Sequence, residues 1–282
     1  MSVCVVCRFK NERHIMYEWI HHYLLEDVDC IILIDHNSED NYFIKNKKWM
    51  KPLIKNGKIV ILKSKSNVQY EDYNYHLKFI KKFKWMICCD IDEFFFSVPK
   101  GSTIKDMLNN ELSKYEYIKI YWKLFTHNSK FQPKSVINDN IFTHYENVDK
   151  SSKSMGIKCI AKTNKLKKID IHRIEFYDKV NKLNLFNAHN RLIQNNHYRT
   201  QSDEYLYGVK EVRGGGVNKD KYKNFKRHYE YEYNYKCDLL KEKRKDLINE
   251  ILNLKQIRPK IYKESSFYKE VILPQKNKIN PI

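Results

Sequence analysis

The residues best suited to chemistry follow a short apolar segment in the first third of the chain. That segment, Trp85–Cys89, leads directly into Asp90-Ile91-Asp92-Glu93. Because side chains alternate along an extended chain, the spacing predicts that Asp90 and Asp92 point to the same side. Two carboxylates on one side suit a hard divalent cation, which takes oxygen ligands and commonly bridges to substrate phosphates. The motif therefore predicts a cation site, with a capping turn at a strand end as the alternative.

A second pair of aspartates with the same spacing serves as an internal control. Asp27-Val28-Asp29 precedes an apolar segment but has none leading into it. Aspartates of this kind are typical of solvated turns. We therefore expect a turn at the second pair and assign the cation site to Asp90 and Asp92.

Short apolar segments rich in β-branched residues recur in the first third of the chain, each followed by a polar or helix-like stretch. This alternation predicts βαβ units and a mainly parallel sheet covered on both faces. The predicted strands here are Val3–Cys7, Cys30–Asp35, Ile59–Leu62 and Trp85–Cys89, and the predicted helices are Glu12–Leu25 and Tyr70–Phe83. Later strands are predicted at Tyr117–Leu124 and Gly156–Ala161, and one late helix at Asp238–Gln256.

Polar residues follow three of these strands at the point where each strand ends. They are Arg8 to Glu12 after the first strand, Asp35 to Asp40 after the second and Asp90 to Glu93 after the fourth. In open α/β sheets ligands bind outside the carboxyl ends of the strands, so these segments should converge on one crevice. Asp35 and Asn37 lie where a ribose or a base would be contacted. The alternative for that segment is an Asx-rich turn.

Composition and cysteine usage restrict the class of protein. Hydrophobic residues make up 42% of the 282 residues and aromatic residues 14%, which excludes a disordered chain. The sequence has no transmembrane-length apolar run and no conventional signal peptide, so we predict a cytoplasmic protein. Its seven cysteines, an odd number, fit a reducing compartment. Cys4 and Cys7 have CxxC spacing but should point to opposite faces of a strand, so we expect buried residues there rather than zinc ligands.

The chain is strongly basic, with 53 Lys and Arg against 34 Asp and Glu and a formal net charge of +19. Such a charge favours anionic partners, although a compositional drift towards lysine would produce the same number. A nucleic-acid-binding protein is one alternative, since 21 Tyr and 14 Phe could supply stacking surfaces. The lysines are scattered and no nucleic-acid motif is present, so we expect no nucleic-acid partner. A catalytically inactive sugar-nucleotide binder is the other alternative.

Several segments in the same order resemble the family 92 glycosyltransferases and the family 2-like enzymes near them. They are Lys10-Asn11-Glu12, Glu18-Trp19-Ile20, Asp35 to Asp40, Asp90-Ile91-Asp92-Glu93-Phe94, and Asn196-His197-Tyr198 followed by Ser202. The resemblance implies an α/β GT-A fold, Rossmann-like, with a mixed, mainly parallel sheet flanked by helices. This domain would span residues 1–217, and residues 218–282 would form a basic helical extension packed on it or appended to it.

The resemblance also implies an inverting, metal-dependent transfer from a nucleotide-diphospho-sugar, a UDP-sugar with galactose-like sugars as an option, to a hydroxyl of a glycan or glycoprotein. The metal would be Mn²⁺ or Mg²⁺. Donor contacts are expected from Arg8, Glu12, Asp35, Asn37, Asp90, Lys158 and Arg199, and metal contacts from Asp90, Asp92 and His197. Animal members of the family usually carry a transmembrane anchor, which this sequence does not show, although peripheral membrane contact stays open.

Two roles are left open by the sequence. His197 could complete the coordination of the metal through a neutral imidazole nitrogen, hydrogen-bond the acceptor, or be structural. Inversion needs a general base for the acceptor hydroxyl, and the carboxylate candidates are Glu146, Asp203 and Glu204. The last two are favoured because they follow the His197 segment directly.

Two late segments have further open interpretations. Residues 202–217 contain Gly208, three successive glycines and flanking basic residues, which favours a mobile basic lid or an exposed basic loop. The apolar stripe of the Asp238–Gln256 helix predicts packing on the main domain, with membrane-surface or partner docking as the alternative.

Overall fold

The first four strands alternate with helices and form the parallel part of one sheet in the computed structural model. β1 (Val3–Phe9) pairs in parallel with both β2 (Cys30–Asp35) and β4 (Trp85–Cys88), and β2 pairs with β3 (Ile59–Lys63). Nearly every residue of β1, β2 and β4 is buried, as expected for parallel strands covered on both faces. The predicted parallel arrangement is confirmed, with strand ends within two residues of those predicted.

Further strands extend this sheet on the β4 side, mostly through antiparallel pairs, although β11 pairs with β6 in parallel. Among the described residues the order is β3-β2-β1-β4-β8-β6-β12-β5, with β11 also paired to β6. The added strands are β5 (Glu93–Ser97), β6 (Tyr117–Leu124), β8 (Ile157–Lys162), β11 (Lys182–Leu185) and β12 (Ile193–His197). Two small antiparallel pairs lie apart: β7 (Phe142–Thr143) with β13 (Tyr235–Lys236), and β9 (Leu166–Ile169) with β10 (Ile174–Phe176). The predicted mixed, mainly parallel α/β sheet is therefore confirmed.

The helices lie between the strands and in the late part of the chain. They are α1 (Arg13–Leu25), α2 (Tyr42–Lys55), α3 (Gln69–Tyr75), α4 (Leu77–Ile80), α5 (Ile104–Asn109), α6 (Val136–Asp139), α7 (Asp203–Tyr205), α8 (Leu239–Lys243) and α9 (Lys245–Asn253). A short π-helix, Leu206–Lys210, follows α7. Two helices predicted as continuous are each divided, at His76 and at Arg244. None of the helices in the described ranges has the length and apolar character needed to cross a bilayer.

The structure describes residues 2–143, 156–185, 192–210, 235–261 and residue 269. The chain divides into two compact units, the first made of residues 1–12, 16–123 and 147–197 and the second of residues 13–15, 124–146 and 198–282. In the second unit, α9 buries Leu247, Ile248 and Ile251, while Lys134 Nζ donates to the carbonyl of Leu252. Three of the four predicted stripe residues, Leu240, Leu247 and Ile251, are thus buried, whereas Leu254 is 40% exposed. The domain boundaries at residues 217 and 218 stay a prediction.

Polar side chains of α1 bind the backbone of β5, the last strand in the sheet order. Trp19 Nε1 donates to the carbonyl of Glu93 (2.9 Å), and the Tyr23 hydroxyl donates to the same carbonyl (3.0 Å) while accepting from Phe95 N (3.0 Å). This row of contacts along β5 continues with His22 Nε2, which donates to the carbonyl of Phe95, and with Glu26 Oε2, just after α1, which accepts from Ser97 N. Buried backbone groups need such partners, so α1 takes the place of a neighbouring strand.

Replacement of Tyr23 by phenylalanine tests this arrangement. Tyr23→Phe keeps the ring but leaves the buried Phe95 amide without its acceptor, so the free energy of unfolding should fall by about 1–3 kcal/mol. Urea denaturation measures the change. Tyr75→Phe is the matched control, because Tyr75 is 64% exposed and should change the stability by less than about 0.5 kcal/mol. Equal losses in the two variants would contradict the role of Tyr23.

Candidate functional site

The two aspartates of the predicted cation site lie in the turn that joins β4 to β5. Glu93 N donates to the carbonyl of Asp90 (3.1 Å), and Asp90 N donates to Glu93 Oε2 (2.8 Å). This is a β-turn closed by a side chain, so the extended geometry predicted for residues 90–92 is wrong. The side chain of Asp90 is 32% exposed, whereas that of Asp92 is 5% exposed. The two carboxylates consequently have different surroundings.

A fully buried ammonium group lies against this turn. Lys158 Nζ, on β8, is 2.8 Å from Asp90 Oδ2 and 3.6 Å from Glu93 Oε2. Burial lowers the pKa of Lys158, but the attraction of Asp90 and Glu93 outweighs it and the net pKa is raised well above the usual value. Burial raises the pKa of Asp90, yet Lys158 outweighs it and leaves that pKa lowered. Asp90 and Lys158 therefore form an ion pair.

Glu93 differs from Asp90 although it shares the same lysine. Its side chain has no exposed surface, and burial raises its pKa well above the ordinary value for a glutamate. The neutral form of a carboxyl group is favoured where burial penalises the charge. Asp90 is therefore the closer ionic partner of Lys158, and Glu93 closes the turn by accepting from Asp90 N.

A second hydrogen bond fixes the other oxygen of Asp90. Gln69 Nε2, at the start of α3, donates to Asp90 Oδ1 (2.8 Å) and to the hydroxyl of Tyr73 (2.8 Å). Both oxygens of Asp90 are thus engaged, by Lys158 and by Gln69. Sequence inspection missed Gln69, which lies one residue before the predicted Tyr70–Phe83 helix and has no local feature that distinguishes it.

Asp92 is paired with His197, as expected for residues at one site. β12 runs antiparallel to β5 and sets His197 opposite Glu93. His197 Nε2 is 3.4 Å from Asp92 Oδ1, and the ring of Trp122 lies 4.5 Å from the His197 ring between centroids. The structure brings these two predicted metal ligands together, and each is nearly buried.

The separation of the two donor atoms in this pair fits a divalent cation. Two neighbouring ligands of an octahedral ion with bonds of about 2.1 Å lie about 3 Å apart, close to the Asp92–His197 separation. In the ranges that the structure describes, no three His, Cys, Asp or Glu side chains surround a common point. Asp92 and His197 would therefore supply two ligands, with the remaining positions left to substrate oxygens and water; Asp90, the third predicted ligand, is not brought to the same point.

The loops after β1 and β2 are tied to each other at the same edge of the sheet. Asn11 N donates to Ser38 Oγ (3.0 Å), and Glu39 N donates to Asn11 Oδ1 (2.6 Å). Asn11 and Asn37 have φ of +56° and +52°, a conformation that asparagine tolerates better than most residues. Because β1 is parallel to β2 and β4, this edge also carries the Asp90 turn. The convergence predicted from three strand ends is confirmed.

Asp35 has a structural role in its own loop. Its Oδ1 accepts from Ser38 N (2.9 Å) and its Oδ2 lies 3.4 Å from the Tyr42 hydroxyl. This is the Asx-type turn that was the alternative for the segment. Asp35 remains partly exposed, so a nucleoside contact for it and for Asn37 stays a prediction.

Two other predicted donor contacts are largely buried. Arg8 pairs with Asp72 (Nε–Oδ2, 2.8 Å) and donates to the carbonyl of Ser66 (2.9 Å), with only 11% of its side chain exposed. Asp72 is fully buried and also accepts from the backbone amides of Lys65 and Ser66. Glu12 is 2% exposed. The Arg8–Asp72 pair, which sequence inspection missed, therefore fixes the loop after β3.

The second unit holds two of the predicted base candidates, in contrasting environments. His127 Nε2 donates to Asp203 Oδ1 (3.0 Å), and the side chain of Asp203 is 31% exposed. Glu204 has no exposed side-chain surface, and its Oε2 accepts from Arg258 (2.8 Å) and from Gln132 N (3.1 Å). Glu204 is thus held by structural contacts, whereas Asp203 is open to a ligand.

The remaining predicted residues are placed as follows. Arg199 is partly exposed and belongs to the second unit. Glu146 lies outside the described residues, as does the part of the predicted lid from residue 211 onwards. The described part of that segment is helical, and Gly208 is buried within it.

The family model of glycosyltransferase family 92 matches residues 1–253. Solved structures similar to the chain include S. aureus TarS with UDP (13% identity, TM-score 0.43, 90% of this chain and 76% of that one). A structure of S. aureus TarS residues 1–349 is also similar (12% identity, TM-score 0.41, 78% of this chain and 68% of that one). The mannosyltransferase PcManGT from Pyrobaculum calidifontis, in complex with GDP-Man and Mn²⁺, is similar over 42% of this chain and 35% of its own (14% identity, TM-score 0.33). These likenesses are too distant to assign a ligand to this chain, and no curated protein is significantly similar to it.

Removal of the buried ammonium group should destabilise the fold. Lys158→Met leaves Asp90 beside a buried apolar side chain, so the free energy of unfolding should fall by about 3–5 kcal/mol. Lys167→Met is the control, because Lys167 is exposed on β9 and its loss should cost less than about 0.5 kcal/mol. Urea denaturation of both variants measures the difference, and a Lys158→Met protein as stable as the control would contradict the ion pair.

Proposed function

The chain belongs to glycosyltransferase family 92, and on that basis we propose that it transfers a sugar from a nucleoside-diphosphate donor to a hydroxyl of a glycan or glycoprotein, with inversion at the anomeric carbon. The observation that carries this proposal is the turn at the end of β4, where Asp90 and Asp92 meet Lys158 and His197. The family resemblance favours a UDP-sugar as the donor, with Mn²⁺ or Mg²⁺ as the cofactor.

The donor's nucleoside is proposed to lie at the edge formed by the loops after β1 and β2. Asp35 and Asn37 stand at this edge, and the bonds between Asn11, Ser38 and Glu39 hold the two loops together. A preformed surface of this kind orients a ligand without having to order its own loops on binding. Arg8 contributes by holding the neighbouring loop through Asp72.

The diphosphate is proposed to lie beside the Asp90 turn. Asp92 and His197 would hold a divalent cation, which would stabilise the negative charge that develops on the leaving diphosphate. Lys158 has no exposed surface, so its proposed part is to fix Asp90 rather than to touch the donor. Asp90 keeps its charge through this pairing and is the exposed carboxylate of the turn.

Asp203 is the proposed general base. In the reaction the acceptor oxygen forms a bond to the anomeric carbon, the bond from that carbon to the diphosphate oxygen breaks, and Asp203 takes the acceptor proton. Asp203 is preferred to Glu204 because its carboxylate is 31% exposed, whereas that of Glu204 is buried against Arg258.

His127 is the proposed positioning residue for Asp203. A carboxylate only accepts hydrogen bonds, so Nε2 of His127 carries the proton that Asp203 accepts. In the neutral ring Nδ1 then accepts from the hydroxyl of Thr200 (2.7 Å). The Thr200 contact thus fixes the tautomer that orients Asp203.

Substitution of Asp92 tests the cation site. Asp92→Ala should lower kcat/KM on the order of a thousandfold or more, because the charge on the leaving diphosphate loses its stabilisation. Nucleotide diphosphate release and Mn²⁺-dependent thermal stabilisation by the UDP-sugar measure the effect. Asp27→Ala is the control, since this residue belongs to the second aspartate pair and is 58% exposed. An Asp92→Ala enzyme as active as the control would remove this mechanism.

Substitution of Asp203 tests the proposed base. Asp203→Asn should lower kcat by about 10²–10⁴-fold while donor affinity stays within about twofold, because only proton removal is lost. Asp238→Asn, at a 41% exposed aspartate of the same unit, is the control and should leave kcat unchanged. An unchanged kcat for Asp203→Asn would exclude it as the base.

Two variants of His127 separate positioning from general stability. His127→Phe should lower kcat by about ten- to a hundredfold with little change in donor KM, whereas His127→Gln, which still donates a hydrogen bond, should recover most of it. Initial-rate kinetics with varied donor measure kcat and the donor KM separately. Equal activity of the two variants, at equal thermal stability, would contradict the positioning role.

A further inference from the structure

One face of α2 carries four lysines and no acidic residue. The helix sequence from Tyr42 to Lys55 contains no Asp or Glu. At about 100° per residue, Lys47, Lys48, Lys51 and Lys55 fall within an arc of about 100°. All four are exposed, and with Pro52 they line one shallow depression. We call these four residues the lysine arc.

The lysine arc faces away from the packed side of the helix. The buried residues of α2 are Tyr42, Asn46 and Met50, on the opposite side of the helical wheel. In the described part of the chain, none of the four lysines forms an ion pair with a carboxylate. Their charge is therefore not neutralised within the first unit, in contrast to that of Lys158 and Lys105, which are paired.

An apolar side chain lies at the centre of the lysine arc. Ile44 projects between the directions of Lys51 and Lys55 and is 69% exposed, and Phe43 beside the arc is 37% exposed. A basic helix face with exposed apolar side chains has the character of helices that lie in the interface of an anionic membrane. Ile44, the more exposed of the two and the one within the arc, cannot stack on a base, which favours lipid over a nucleic acid.

We propose that the lysine arc of α2 docks the protein on membranes that contain anionic phospholipids. The lysines would bind headgroup phosphates and carboxylates, and Ile44 would enter the boundary between headgroups and acyl chains. This surface lies on a different element from the proposed donor site, and the proposal stands apart from the transferase chemistry. The partner is a lipid surface of negative charge.

Vesicle co-sedimentation of the full chain tests the proposal. The protein should bind vesicles of phosphatidylcholine with about 30% phosphatidylserine and should not bind pure phosphatidylcholine, and raised salt should weaken the binding. Each lysine near an anionic surface contributes about fivefold to the partition coefficient, so the triple variant K47Q/K51Q/K55Q should lower it on the order of a hundredfold. Ile44→Ser should also weaken binding.

A triple variant with the same change in charge is the control. K78Q/K167Q/K179Q removes three exposed lysines from other elements of the same unit, and its partition coefficient should fall by less than about fivefold. Equal losses in the two triple variants would overturn the proposal in favour of diffuse attraction. Absence of any preference for anionic vesicles would also overturn it, as would arc-dependent binding of a short duplex DNA without vesicle binding.

Activity assays keep this outcome separate from the proposed function. Neither triple variant changes a residue of the donor or acceptor site, so nucleotide diphosphate release with a free acceptor and no vesicles should equal that of the parent. A protein that transfers sugar but does not bind anionic vesicles would overturn only the docking surface. A protein that binds vesicles through the lysine arc but transfers nothing would overturn only the transferase mechanism.

Discussion

The ion pair between Lys158 and Asp90 is the constraint on which the site depends. An isolated ammonium group without solvent exposure is strongly unfavourable, so Lys158 requires a charged partner at hydrogen-bonding distance. Asp90 supplies that partner at 2.8 Å, while burial raises the pKa of Glu93, whose carboxyl group lies 3.6 Å away. Because Lys158 lies on β8, which pairs with β4, the sheet itself places the ammonium group at the turn. The Asp90 turn is thus stabilised by the ion pair with Lys158 and by the strands β4 and β5 that flank it.

The second carboxylate of the turn is placed by backbone pairing rather than by charge. β5 is bound on one side by side chains of α1 and on the other by β12. The register between β5 and β12 sets His197 opposite Glu93, and this brings its ring to Asp92. A shift of one residue in that register would turn His197 to the other face of the sheet. The polar row on α1 therefore matters for the site as much as for stability.

The positive charge of the protein has more than one use. Lys158 forms a buried ion pair with Asp90, and Lys105 pairs with Asp27 and Asp29 of the second aspartate motif. The lysine arc of α2, by contrast, leaves its charge to solvent along one helix face. A net charge of +19 therefore combines structural cations with a surface patch, and its distribution is more informative than its size.

The parallel strands, their order along the chain and the edge at which polar segments meet could be predicted from the amino-acid sequence, because they follow from local hydrophobic patterns and from strand geometry. The sequence also predicted Asp90, Asp92 and His197 as site residues, through a motif and a family resemblance. The pairing of Asp90 with a lysine 68 residues away, and the exposure of Asp203 rather than Glu204, could be seen only in the folded protein. Both features depend on burial and on strand register, which bring together side chains that are distant in sequence. No local sequence pattern predicts them.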